Sequence, residues 1–159
     1  MVGTSAGDFA YSVSNDWIVK SQKIVSFGGP SNWKVGAIAD FNSDGISDVA
    51  WYNPPTGQTA IWTMGTSLNY QSNFSASTGA NGGWEMRGSG NFDGDGKKDD
   101  ILWFNRNTGS VAVWLMENGT LQQSKFVGSA VSSPWNPSAI FDRNNDGISD
   151  RVFEKLKEV

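Results

Sequence analysis

The sequence contains no cysteine and no histidine. Without cysteine no disulfide closes a loop. Without histidine the commonest general base and the commonest transition-metal ligand are both missing. A nucleophile could then be activated only through lysine or carboxylate pairs. Glu85, Glu117, Glu154 and Glu158 fall in no repeated position and form no recognisable pair, so no enzyme is expected. No apolar run approaches the ~18 residues of a membrane span. The opening "MVGTSAGDFAYS" has no basic stretch followed by an apolar one, so no signal peptide is expected. Positive charge is also scarce. Lys and Arg total 12 against 16 acidic residues, the net charge is −4, and no basic cluster stands out, which argues against nucleic acid as a partner.

Aromatic residues and glycine are plentiful, at 13% aromatic and 19 glycines in 159 residues. With modest aliphatic content, that mixture favours many short strands joined by turns. Self-comparison is more informative still. Trp33, Trp84 and Trp135 recur at intervals of 51 residues, as do Asp44, Asp95 and Asp146. Trp51 matches Trp103, Gly57 matches Gly109, Trp62 matches Trp114 and Met64 matches Met116, and Phe153 stands in the column of Trp51 and Trp103. The N-terminal "AGDFAYSVSNDWIVKSQKIVSFGGPSNW" aligns without gaps to "TGSVAVWLMENGTLQQSKFVGSAVSSPW", which places Gly7 in the column of Gly57 and Gly109.

The chain therefore divides into three repeats: one over 34–82, one over 85–133, and one split between 136–159 and 7–32. Each reads as four short strands with a glycine turn between the second and third. No segment carries a sustained helical stripe. Four-stranded repeats of this length are the usual blades of an all-β propeller. Seven of the eight tryptophans occupy repeated columns, as expected of side chains packing blade against blade.

The acidic loops supply the chemistry. In "DFNSDGISD", Asp40, Asn42 and Asp44 alternate, Gly45 permits a sharp bend, and Asp48 follows at the ninth position. Asn91, Asp93, Asp95, Gly96 and Asp99 stand likewise in the second loop, and Asp142, Asn144, Asp146, Gly147 and Asp150 in the third. The backbone carbonyls of Ile46, Lys97 and Ile148 take the seventh position. Such oxygen-only sets fit a hard cation, with Ca²⁺ the expected ion at about three per chain. An EF-hand is not indicated, because Trp51 occupies the twelfth position of the first loop and no flanking helices are visible. An Asp-Gly hairpin turn is the plainer alternative, but three copies at a fixed period weigh against it. The second loop has an extra residue in "KKDD", so either Asp99 or Asp100 could close it.

The segments "DFNSDGISDVAWYN" and "NFDGDGKKDDILWFN", with an upstream Trp and a downstream "TG…W.M", resemble FG-GAP/VCBS-type repeats. These are calcium-binding propeller blades of integrin α-chains, secreted bacterial proteins and lectins of the Psathyrella velutina type. The resemblance implies calcium in the loops, an extracellular or secreted setting, and recognition of a glycan or a protein surface. A structural or ancestral-like scaffold with no dedicated ligand is the alternative. Trp17, at a turn tip where the repeat has Gly119, is the candidate for stacking on a sugar ring, with a dimer contact or an ordinary surface aromatic as the alternatives. Three blades do not close a wheel, so a head-to-tail homodimer with six blades is expected, the split blade being rebuilt from two chains.

Overall fold

In the computed structural model of the chain, the backbone is described for residues 8–15, 18–26, 32–66, 70–77, 82–129 and 135–155, and side chains for 32–66, 82–128 and 135–155. These residues form strands β1 (Asp8–Asn15), β2 (Ile18–Ser26), β3 (Lys34–Ala39), β4 (Asp48–Asn53), β5 (Gln58–Met64) and β6 (Tyr70–Ser77). They continue with β7 (Trp84–Gly90), β8 (Asp100–Asn105), β9 (Ser110–Glu117), β10 (Thr120–Ser129), β11 (Trp135–Phe141) and β12 (Asp150–Lys155). There is no helix among the described residues, and none therefore long and apolar enough to cross a membrane.

All pairing is antiparallel between sequence neighbours. One four-stranded sheet runs β3-β4-β5-β6 and a second runs β7-β8-β9-β10, while β1-β2 and β11-β12 form separate two-stranded sheets. The registers repeat as faithfully as the sequence. The first strand of each unit carries an irregularity at one column: between Val35 and Ala37, between Met86 and Gly88, and between Pro137 and Ala139. An extra residue there bends and twists the strand. The first strands lie side by side, β7 flanked by β3 and β11. At Gly36 a Cβ would fall 2.6 Å from the Cβ of Met86, and at Gly90 one would fall 2.8 Å from Ser149 Oγ. A larger residue would be crowded at both places, because side chains of the neighbouring unit, Met86 at Gly36 and Ser149 with Ile140 at Gly90, occupy the space a Cβ would take.

Both faces of the four-stranded sheets are covered, so β4 and β8 are buried along their whole length instead of alternating. One core cluster lies between the two sheets. It joins Ala37, Phe41, Ala50, Tyr52 and Ile61 of the first to Met86, Ile101, Trp103, Trp114 and Met116 of the second. The opposite face of the second sheet presents Leu102, Phe104, Val111, Val113 and Leu115, against which Ile140 and Phe153 of the third unit pack. Phe153 thus does toward the second sheet what Trp103 does toward the first. A third cluster, Val49, Trp51, Ala60, Trp62 and Met64, covers the other face of the first sheet. The tryptophan pairs match in geometry, with centroids 5.2 Å apart for Trp51–Trp62 and 5.0 Å for Trp103–Trp114. Sheets stacked this way, first strands together and one face against the next unit's opposite face, are propeller blades in arrangement.

Candidate functional site

Each acidic loop joins the first strand of its unit to the second, so all three lie at the same end of their sheets. In the first loop the Asp44 N–H is shared. Asp40 Oδ1 accepts it at 3.0 Å and Asn42 Oδ1 at 3.1 Å, which draws those two oxygens toward one point. Asp40 Oδ2 accepts the Gly45 N–H at 2.8 Å, Asp44 Oδ1 accepts the Ile46 N–H at 2.8 Å, and Asn42 Nδ2 donates to Asp44 Oδ2 at 2.9 Å. The curl needs left-handed backbone at Ser43 (φ 60°) and Gly45 (φ 84°), the second of which only glycine adopts without cost. The third loop repeats the device. Asp142 Oδ1 and Asn144 Oδ1 share the Asp146 N–H at 3.1 and 3.2 Å, with Asn145 at φ 60° and Gly147 at φ 87°.

Asp48 sits beneath this cluster, 0% exposed. Its Oδ2 accepts Phe41 N–H at 2.9 Å and Asn42 N–H at 3.2 Å, and its Oδ1 accepts Met64 N–H at 2.8 Å from the end of β5. Burial raises its pKa, and these three N–H bonds oppose the rise. Asp48 therefore clamps the loop to the third strand. By count its partner in the second loop is Asp99, yet Asp100 takes the role: Oδ2 accepts Phe92 N–H at 2.7 Å and Oδ1 accepts Met116 N–H at 2.9 Å. In the third loop Asp150 Oδ2 accepts Arg143 N–H at 3.0 Å.

The second loop differs in two further ways. Asn91, where the others have aspartate, donates from Nδ2 to Gly147 O at 2.6 Å and so ties the second loop to the third. Its backbone adds Asn91 N–H to Ser149 Oγ at 3.0 Å and accepts Ser149 N–H at 2.7 Å. The Lys97 ammonium stands 3.9 Å from Asp95 Oδ2, and among the described residues no such ion pair is seen in the other two loops. Asp93 Oδ1 accepts Asp95 N–H at 3.0 Å, and Asp95 Oδ1 accepts Lys97 N–H at 2.8 Å.

Asp99 is the residue left over. It is 1% exposed, and neither carboxylate oxygen has a hydrogen-bond partner among the described residues. Burial, reinforced by the charges of Asp100 and Asp95 and opposed by its own N–H and Lys97, pushes its pKa up to about 6. The folded state then holds this proton more tightly than the unfolded state, where the value is near 3.8. In chelator, stability should accordingly fall as pH rises from about 4 through about 6. Asp99→Asn abolishes that term: the variant is expected to equal wild type below pH ~4 and to exceed it by at most about 3 kcal/mol at pH ~8. Urea titrations of both proteins across that range check this, and parallel pH profiles would show that Asp99 ionises freely.

The remaining expected positions are placed as follows. Ile46 packs against the Trp51–Trp62 cluster, and Ile148 is exposed. Trp17 lies outside the described residues. Among the described residues, no three acidic side chains form a ready group around one point. Glu85 is held by two guanidinium groups, Arg87 at 2.7 Å and Arg106 at 2.8 Å. Asp100, Ser149 and the strand-three N–H donors of Met64 and Met116 were not distinguishable by spacing, although the extra residue in "KKDD" marks where the count slips.

The family model described as the FG-GAP repeat matches residues 32–64, which cover β3, the first acidic loop, β4 and β5. Residues 32–64 are similar to an FG-GAP repeat. No curated protein and no solved structure matches the chain. The FG-GAP unit thus contains one complete loop-and-clamp arrangement, and the same hydrogen-bond pattern around Asp100 extends its architecture to the second unit.

Proposed function

We propose that this chain is a non-catalytic, calcium-stabilised propeller module that presents loops for recognition of a glycan or protein surface. The observation that carries the calcium reading is Asp99: a buried carboxylate beside Asp95 with no hydrogen-bond partner among the described residues, in a loop that also offers the side-chain oxygens of Asn91 and Asp93. A carboxylate without hydrogen-bond partners is costly unless a cation or a proton satisfies it. Oxygen donors with irregular geometry suit Ca²⁺. The residues that would hold the ion are Asn91, Asp93, Asp95 and Asp99 in the second loop, and Asp40, Asn42 and Asp44, or Asp142, Asn144 and Asp146, in the other two. Bound calcium would supply countercharge, and each loop's carbonyl and amide oxygens would complete the shell.

Calcium that binds only the folded chain raises stability by about 2.7 kcal/mol per site at a hundredfold excess over Kd. Scanning calorimetry in millimolar Ca²⁺ and then in chelator should show a higher Tm with calcium, and Asp99→Asn should gain less from calcium than wild type. An unchanged wild-type Tm would reduce the loops to turns. The recognition reading rests on the FG-GAP match. Its test is a glycan and protein binding screen that includes Trp17→Ala, and an empty screen with a stable, calcium-responsive protein would favour a scaffold.

A further inference from the structure

Asp48 and Asp100 each use both carboxylate oxygens, one on their own loop and one on a strand-three N–H sixteen residues further along the chain. Asp150 accepts Arg143 N–H on Oδ2, and among the described residues no strand-three N–H reaches its Oδ1. Correspondingly, among the described residues β12 pairs with β11 alone and β1 with β2 alone. Among the described residues, no third strand pairs with β12 and no second strand pairs with β1.

The hairpin carries the mark of a third–fourth strand pair. Its register slips between Val13 and Ser14, and β5-β6 slips between Thr63 and Met64, the same column fifty residues on. Both complete sheets dictate one register for the missing seam. Val49↔Trp62 and Trp51↔Ala60 in the first sheet, and Ile101↔Trp114 and Trp103↔Ala112 in the second, translate to Arg151↔Ser12 and Phe153↔Ala10. The same translation of Asn53↔Gln58 places Lys155 opposite Asp8, a complementary charge pair. It also places the N–H of Ser14 where Met64 and Met116 stand, opposite the open oxygen of Asp150.

We infer that β1 of a second copy of this chain adds to β12, completing the third blade and supplying the Ser14 N–H to Asp150. This rests on the blade reading proposed above. A second copy is favoured over the same chain because β1 and β12 belong to separate sheets within one chain. Two copies related by a two-fold axis close two such seams and give six blades.

Sedimentation and cysteine cross-linking test the seam. The mass should be twice the chain's 17.2 kDa. Ser12→Cys chains mixed with Arg151→Cys chains should form a disulfide between the two different copies under mild oxidation, whereas either variant alone should form none at this seam. Lys155→Asp should weaken the dimer about tenfold across two seams, and adding Asp8→Lys should restore it. A monomer, a mass other than twofold, or a Ser12→Cys/Arg151→Cys double variant that cross-links within one chain would overturn the inference. Calcium-dependent melting of the same preparation keeps the outcomes apart: a monomer that still gains stability from calcium rejects the seam and leaves the calcium reading standing.

Discussion

Asp48→Ala is expected to lower the unfolding free energy by about 3–5 kcal/mol. The substitution leaves three backbone N–H groups, those of Phe41, Asn42 and Met64, without their acceptor in a site that is fully buried. Each orphaned donor costs about 1–3 kcal/mol, and neighbouring losses overlap instead of summing. Asp48→Asn should cost less, about 1–3 kcal/mol, because the amide retains one acceptor but turns a donor toward an N–H. Urea denaturation, with the slope compared between variants, measures both. If alanine cost less than about 1 kcal/mol, the loop would be holding its backbone without the carboxylate, and the clamp would be incidental. A loss of calcium response in Asp48→Ala would follow from the collapse of the curl, because the loop oxygens are positioned by the backbone that Asp48 anchors.

Trp103→Ala is expected to cost about 4–5 kcal/mol. Trp103 is 3% exposed and lies in the cluster between the first and second sheets. Its ring meets Tyr52 of the first sheet edge-on, with centroids 5.9 Å apart and planes at 86°, and tilts against Trp114 at 5.0 Å. Truncation removes transfer energy, opens a cavity at a joint between two sheets, and breaks both ring contacts. A double-mutant cycle with Tyr52→Ala isolates the contact across the joint, where a coupling of about 1 kcal/mol is expected. Additive losses would mean that the two sheets rest on each other without a specific ring contact. Phe153→Ala, in the corresponding place of the third unit, should cost less, since Phe153 is only half-buried.

Much of this was legible in the sequence because repetition multiplies a weak signal. The Trp51 and Trp103 columns, the turns at Gly57 and Gly109, and the four short strands of the first two units follow from residues that recur. The roles of Asp99 and Asp100 were not legible, since spacing shows two adjacent acids but not which one faces the third strand. Strand alternation settles that only once the register is known. Phe41, 0% exposed, stands inside a loop that reads as polar, and its burial comes from the neighbouring sheet. The Asn91 bond to Gly147 spans 56 residues, a distance at which periodicity carries no information.

The two faces of a blade are not interchangeable: the second sheet sets Trp103 and Trp114 on one side and Leu102, Phe104 and Val113 on the other. Such units mate front to back, like stacked cups, and never front to front. Any duplication of this stretch of gene would therefore inherit a ready-made joint and a fixed direction of growth. Lengthening the polypeptide would require no new surface, and curvature alone would decide when the series is full.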